Sequence, residues 1–431
     1  MIIAIYDDHS QNLHPLTLTR PIYMLRCGPS LLYEKIIQRL NLDGRIVFFM
    51  REYLAEAYAE KLSRKAGGKV FVNELKLLKS GEDLFIVYGG WLPPKGPLEL
   101  EEDTIAVKDD RIIYAHVKSS SISGIADRCD NLRELLDALR SELSEVRLDD
   151  ARLIENLWDL IEYNEGEIVL EAERFKRMEN YRRIDEGVGV YVVGDREDII
   201  VARGVEIYPQ TVFDSSKGPI VIDEDARIMP FSYIAGPCYV GRGSWIVGGK
   251  ISGSTIGPVC RIGGEVEESI IQGFSNKYHE GFLGHSYVGE WVNLAALTTV
   301  SDLKNDYSSI GVPVGGRLVD SGRLKLGAFI GDHTRTGIGS LLTAGSVIGV
   351  MCNLVTSGEP CPKYIPSFTW YVKGRVRDWI PVDRMIDAAR RMMARRGVRL
   401  TDAEERLYRR LYEETREERR RFRENLLRGI W

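Results

Sequence analysis

An aliphatic residue recurs every six positions between Pro219 and Pro366. Ile222, Ile228, Ile234, Val240 and Ile246 mark a first run. Leu324, Ile330, Leu342, Ile348 and Leu354 mark a second, with Thr336 in its one missing slot. Glycine follows the marker at Gly241, Gly331 and Gly349. A helix repeats near 3.6 residues and a flat strand near 2, so neither uses a period of six. The period suits a solenoid in which each flat face is one short strand and a turn, with one aliphatic side chain pointing to the axis. Three faces close a triangular coil of about 18 residues, the hexapeptide form of parallel β-helix. The beat stops between Gly263 and Leu324, which predicts one long excursion there. Solenoid loops of that size usually carry function.

The rest of the chain divides around this core. Residues 1–182 read as an α/β domain, 183–370 as the β-helix and 371–431 as a helical extension. In the first part, strands are predicted at Met1–Tyr6, Arg45–Met50 and Leu84–Tyr88, with a hairpin over 104–117 turning at Asp109-Asp110. Helices are predicted over 30–40, 52–62, 132–143 and 154–163. Such alternation argues for a mostly parallel sheet whose ligands bind beyond the carboxyl ends of the strands. In the tail, Thr401-Asp402-Ala403-Glu404 forms a capping box, and Gly397 ends the helix before it. Asp383 to Trp431 holds fifteen Arg and ten acidic residues, a balance that suits helices laced with i,i+4 ion pairs. Leu400, Leu407, Tyr408 and Leu411 give this tail an apolar stripe that should pack on the solenoid or on a neighbouring subunit.

Net charge is −5, so no global charge favours nucleic acid as a partner. No run of 18 apolar residues exists, and no basic segment precedes an apolar N-terminal stretch. A cytoplasmic chain without a membrane partner is expected. The six Cys form no CxxC pair, so buried free thiols are expected rather than a metal site.

The run Leu13-His14-Pro15-Leu16-Thr17-Leu18-Thr19-Arg20-Pro21 follows the first strand. It resembles the second half of the signature of the sugar-1-phosphate nucleotidylyltransferases. In that family a Gly-rich loop precedes this run and a Lys follows the Pro. Here Asp7-Asp8-His9-Ser10-Gln11-Asn12 replaces the loop, and Ile22 replaces the Lys. The family also carries a Mg²⁺-binding Asp after an apolar strand. The matching strand here ends in Gly89-Gly90-Trp91. The resemblance makes Asp8, Thr17, Arg20, Arg26, Gly89 and Gly90 the nucleotide- or phosphate-binding candidates, with Mg²⁺ as the implied ion. No metal-ligand set is assigned.

Taken with the β-helix, the chain resembles the GlmU-type proteins, which join a nucleotidylyltransferase domain to a left-handed β-helix acyltransferase domain. The segments PLTLTRP and NKYHEGFLGHSYVGEWVNL look like a divergent GlmU-like branch of sugar nucleotidyltransferases. The resemblance implies a sugar phosphate or a sugar nucleotide such as UDP-N-acetylglucosamine as ligand, acetyl-CoA as co-substrate and a homotrimer. A monomeric mass by light scattering would refute the trimer.

Two of the six His fall where the beat breaks, His279 and His285. A neutral imidazole is the natural general base near pH 7. In GlmU-type acetyltransferases a His stands three residues before an aromatic-Leu-Gly, and an Asn follows in the next coil. His279, Phe282-Leu283-Gly284 and Asn293 match that pattern. The resemblance implies that His279 deprotonates an attacking amine, Asn293 contacts the sugar and the backbone N–H near Ala296 meets the oxyanion. His285 is a further catalytic candidate. Asn276, Lys277, Asp302, Lys304 and Tyr307 are candidates for holding the sugar phosphate. His333 is expected on the surface, and His9 and His14 lie beside the nucleotide loop. Three readings follow: a bifunctional transferase, an acyltransferase alone, or a degenerate sensor or scaffold that binds a sugar nucleotide without chemistry.

Overall fold

The computed structural model describes residues 1–8, 11–66, 70–95, 101–184, 189–356, 358–377 and 380–428. The sequence reading at His9 lies outside them. Two compact units result. The first comprises Met1–Ser10, Arg20–Leu25 and Ser30–Glu155; the second comprises Gln11–Thr19, Arg26–Pro29 and Asn156–Trp431.

The first unit is built on a seven-stranded sheet. Its strand order is Phe71–Val72, Arg45–Phe49, Ile2–Tyr6, Leu84–Tyr88, Arg111–Val117, Thr104–Lys108 and Ser144–Arg147. The first four strands run parallel, and the hairpin 104–117 adds antiparallel pairs. Ile2–Tyr6 and Leu84–Tyr88 are buried along their whole length, as their unbroken apolar runs require. The chain order reverses between these two strands, so their carboxyl ends flank the crevice where such sheets bind ligands. Helix Ser119–Ala126 was not expected, because its three leading serines hide the apolar spacing of Ile122 and Ile125.

The second unit is a parallel β-solenoid with three faces. One face is a ten-stranded sheet running from Tyr181–Arg183 to Tyr364–Ile365. Its axis-facing column, in register, is Ile222, Val240, Ile256, Ile271, Val288, Ile330, Ile348 and Ile365. A second face is an eight-stranded sheet. The third joins a five- and a four-stranded sheet through the paired Asn276, Asn293 and Arg335. These columns form one continuous core. Helix Asp159–Lys176 covers the first face with Ile168, Ala172 and Phe175 against Val221 and Tyr239. It starts later and runs longer than its apolar spacing suggests, because Asn164, Glu167 and Glu171 lie on its buried side.

The predicted excursion is shorter than the silence in the beat. Coils continue through Lys277, Leu283, Val288 and Val300, and the detour lies after Val300, where strands Gly311–Val314 and Arg317–Asp320 form a hairpin. Lys277 stands only fifteen residues after its column neighbour Ile262, so shortened corners blur the period. Thr336 does face the axis, whereas Leu324 is 52% exposed and marks no coil.

Helices Val382–Ala394, Asp402–Glu414 and Arg416–Leu427 complete this unit. The capping box at Thr401 and Glu404 is present, and Leu400, Leu407, Tyr408 and Leu411 are buried. The tail packs on its own solenoid, where Phe422 and Leu426 meet the core. All six Cys are buried free thiols. Among the described residues no helix is long and apolar enough to cross a membrane.

Candidate functional site

The corner between the third and second faces carries the best-placed chemistry. His279 follows the short strand Asn276–Lys277, and Phe282–Gly284 begins the next face. The imidazole is exposed on a regular corner, not in the detour. It packs edge-on to Tyr278 at 5.2 Å, and its ring nitrogens make no hydrogen bond among the described residues. The next corner stacks directly on this one: the Leu297 N–H donates to the Glu280 carbonyl at 2.7 Å. Neighbouring coils lie about 4.8 Å apart, so Ala296 sits one rung from His279. The Ala296 N–H makes no hydrogen bond among the described residues, while those of Ala295, Leu297 and Thr298 do. Asn293 is the register partner of Asn276, whose side-chain amide donates to the Asn293 Oδ1 at 3.4 Å.

The other candidates have different surroundings. Lys277 occupies an axis-facing slot below Ile262 and is buried. Its ammonium donates to the carbonyls of Gly263 and Gly281, both at 2.7 Å, and more weakly to that of His279. Burial pushes it down to about 8. It therefore clamps the His279 corner from inside rather than facing a substrate.

His285 lies between two carboxylates, with Nδ1 2.7 Å from Asp302 and Nε2 3.0 Å from Glu268. Burial alone would push this imidazole down, but hydrogen bonds to Asp302 and Glu268 outweigh it and hold it up at about 9. An imidazolium at neutral pH has no lone pair to act as a base. Asp302 is thus committed to His285. Lys304 is tied to Ser308 and Asp306 within its own loop, beside the exposed Tyr307. His333, expected on the surface, is buried: it stacks on Trp291 and bonds the Tyr408 hydroxyl at 3.0 Å. The tail helix that covers it carries no partner mark in the His333 segment itself, so the sequence could not show it.

In the first unit, Asp7 and Asp8 close strand Ile2–Tyr6 at the crevice. Asp8 pairs with Arg111 at 2.6 Å, and Arg111 also lies over the Tyr88 ring at 4.6 Å. Asp7 pairs with Arg51 at 3.2 Å, and Arg51 donates to the Arg20 carbonyl. Gly89 and Gly90 end strand Leu84–Tyr88, but a Cβ there would stand 2.6 Å from Tyr23 and from Ile22. The Gly89 N–H is already donated to the Tyr6 carbonyl at 2.8 Å, so it is not offered to a phosphate oxygen. The residues present also do not fit Mg²⁺: both reachable carboxylates are ion-paired, and Gly89-Gly90 supply none. Among the described residues no cluster of three metal-binding side chains forms. Thr17 and Arg26 belong to the second unit. Thr17 is buried, and Arg26 turns its guanidinium back to the Pro29 carbonyl.

Comparison with known proteins finds one matching family and several relatives. Residues 2–180 match the family described as sugar nucleotidyl transferase. Over 150 residues the chain is 39% identical to a bifunctional sugar-1-phosphate nucleotidylyltransferase/acetyltransferase of Sulfurisphaera tokodaii, covering 32% of this chain and 35% of that protein. It is 25% identical over 266 residues to the bifunctional protein GlmU of Methanocaldococcus jannaschii, covering 57% and 53%. An uncharacterized acetyltransferase, YaiX, of Escherichia coli is 27% identical over 150 residues, covering 34% of this chain and 65% of its own. The chain thus spans from about a third to under two thirds of the curated relatives it matches. A nucleotidyltransferase-like α/β domain is thus followed by a β-solenoid.

Proposed function

We propose that the chain is a transferase acting on sugar phosphates, with acyl transfer to an amino sugar carried out at the His279 corner. The observation that carries this reading is the stacking of two corners: an exposed, unbonded imidazole beside a free backbone N–H on the next rung. In the reaction, His279 accepts a proton as the amine nitrogen attacks the thioester carbonyl of acetyl-CoA. The Ala296 N–H donates to the oxygen as it becomes an oxyanion, an interaction worth roughly 3–4 kcal/mol in enzymes that use it. The C–S bond then breaks, and the proton passes from His279 to the leaving thiolate. Asn293 orients the sugar beside Asn276, and Lys277 fixes the corner from within. His279→Ala should lower acetyl-CoA-dependent turnover by about 10² or more. Turnover equal to the parent would remove His279 from the mechanism.

For the N-terminal domain a second reading competes with nucleotidylyl transfer: binding of a sugar nucleotide without turnover. The engaged Gly89 N–H and the ion-paired Asp7 and Asp8 favour it. Pyrophosphate release, assayed with panels of nucleoside triphosphates and sugar 1-phosphates in Mg²⁺ or Mn²⁺, decides between them. The binding reading expects none; steady release with any pair would restore catalysis to this half.

A further inference from the structure

The outward column of the third face carries a set of cations that the acyl-transfer reading does not use. In register it runs Arg227, Trp245, Arg261, Asn276, Asn293, Arg335. Trp245 lies between two guanidinium groups, that of Arg261 at 3.9 Å and that of Arg227 at 4.9 Å. Arg261 also donates to the carbonyls of Cys260 and Gly243, so its position is fixed. From the tail, Arg396 reaches the Asn276 Oδ1 at 2.8 Å. Two guanidinium groups and an amide thereby gather over two adjacent rungs of the solenoid.

Of these cations Arg227 has a counter-charge, Glu206 at 3.2 Å. Neither Arg261 nor Arg396 has a carboxylate partner among the described residues, and the same holds for Arg335 and Arg391 beside them. Shortage of acid is not the reason. Nearby, Arg390 pairs with Asp387 and Glu405, and Arg409 with Asp383. Burial first, then the neighbouring Arg396, pushes Arg261 down to about 10; burial and Arg391 lower Arg335 as well. Holding like charges together while partly withdrawn from water costs free energy unless an anion compensates. Planar guanidinium forks with an amide donor are the groups that recognise phosphate oxygens.

We propose that Arg261, Arg396 and Asn276 form a phosphate-binding site on the third face of the solenoid. The ligand is a phosphate group, free or carried on a larger molecule. Three sources share that chemistry: a sugar phosphate, the phosphates of coenzyme A, and inorganic phosphate.

Calorimetric titration of the full chain at low salt tests this with inorganic phosphate, glucosamine 1-phosphate and coenzyme A as separate probes. At least one should bind saturably, and Arg396→Gln should weaken it by about tenfold or more. Arg261→Gln should do the same. Because Arg261 also stacks on Trp245, its thermal melt is compared with the parent, and Arg396→Gln, which loses one amide contact, decides the case if Arg261→Gln misfolds. Arg410→Gln, paired with Glu414 elsewhere on the tail, should bind like the parent. Preference for glucosamine 1-phosphate assigns the site to an acceptor; preference for coenzyme A assigns it to a donor; equal binding assigns it to the phosphate group alone. No saturable binding of any probe, or equal affinity in parent and Arg396→Gln, overturns the proposal. The readout needs no turnover, so it separates failure of this site from failure of acyl transfer at His279.

Discussion

His285 shows how far surroundings can change what one residue is able to do. Its folded-state value near 9 exceeds the ordinary 6.5, so the fold binds a proton more tightly than the unfolded chain does. The resulting stability is fully present below about 6.5 and is lost as pH rises through about 9. For this 8%-exposed imidazole the loss should be roughly 2–3 kcal/mol. Lys277 acts in the opposite sense: burial lowers it to about 8, so between there and 10.5 stability rises with pH. Comparing urea melts of the parent and His285→Gln over pH 6 to 9 isolates the imidazole. The parent should weaken across that window relative to the variant, and parallel curves would mean that the two carboxylates do not hold a proton on His285. The sequence singles out His279 and Asn293 by their offsets from Phe282-Leu283-Gly284. It does not show that Lys277 and His285 are buried and bonded within the fold. Which way a side chain faces depends on corner lengths of a few residues, and shortened corners leave no trace in the beat.

At the level of elements, long apolar runs and turn chemistry were legible. Leu84–Tyr88, the hairpin at Asp109-Asp110 and the box at Thr401 stand where the sequence puts them. What could not be read was burial created by other parts of the chain. Helix Asp159–Lys176 hides polar side chains against the first face, so its pattern is not that of an ordinary amphipathic helix. The tail helices show the reverse case, an apolar stripe whose partner was ambiguous. Leu411 is 1% exposed and belongs to the stripe whose Tyr408 meets His333 of the solenoid. Leu411→Ala should therefore cost about 2–5 kcal/mol, read as a lower urea midpoint. A change within about 0.5 kcal/mol would mean that the tail leaves the solenoid in solution.

For the whole molecule, the informative fact is that chain order and compact units disagree. Gln11–Thr19 and Arg26–Pro29 lie near the N-terminus yet belong to the solenoid unit. Thr19 donates to Asp332 at 2.6 Å, the Arg26 N–H donates to Gln272 and Tyr287, and the Gly28 N–H donates to Asn164 at 2.9 Å. Segment Gln11–Leu13 packs on strand Gly311–Val314. These bonds join parts of the chain more than a hundred residues apart, which is why the resemblance of PLTLTRP to a nucleotide signature could not disclose them. A fragment beginning at Asn156 keeps every coil but loses these partners. Each buried polar group deprived of a bond costs about 1–3 kcal/mol unless water replaces it. Residues 156–431 alone should therefore melt several degrees below the solenoid transition of the full chain. A peptide of residues 11–29 added in trans should raise that melt as its concentration rises, as a ligand of the folded state must. A fragment that melts with the full chain and ignores the peptide would show that these early segments rest on the solenoid without stabilising it.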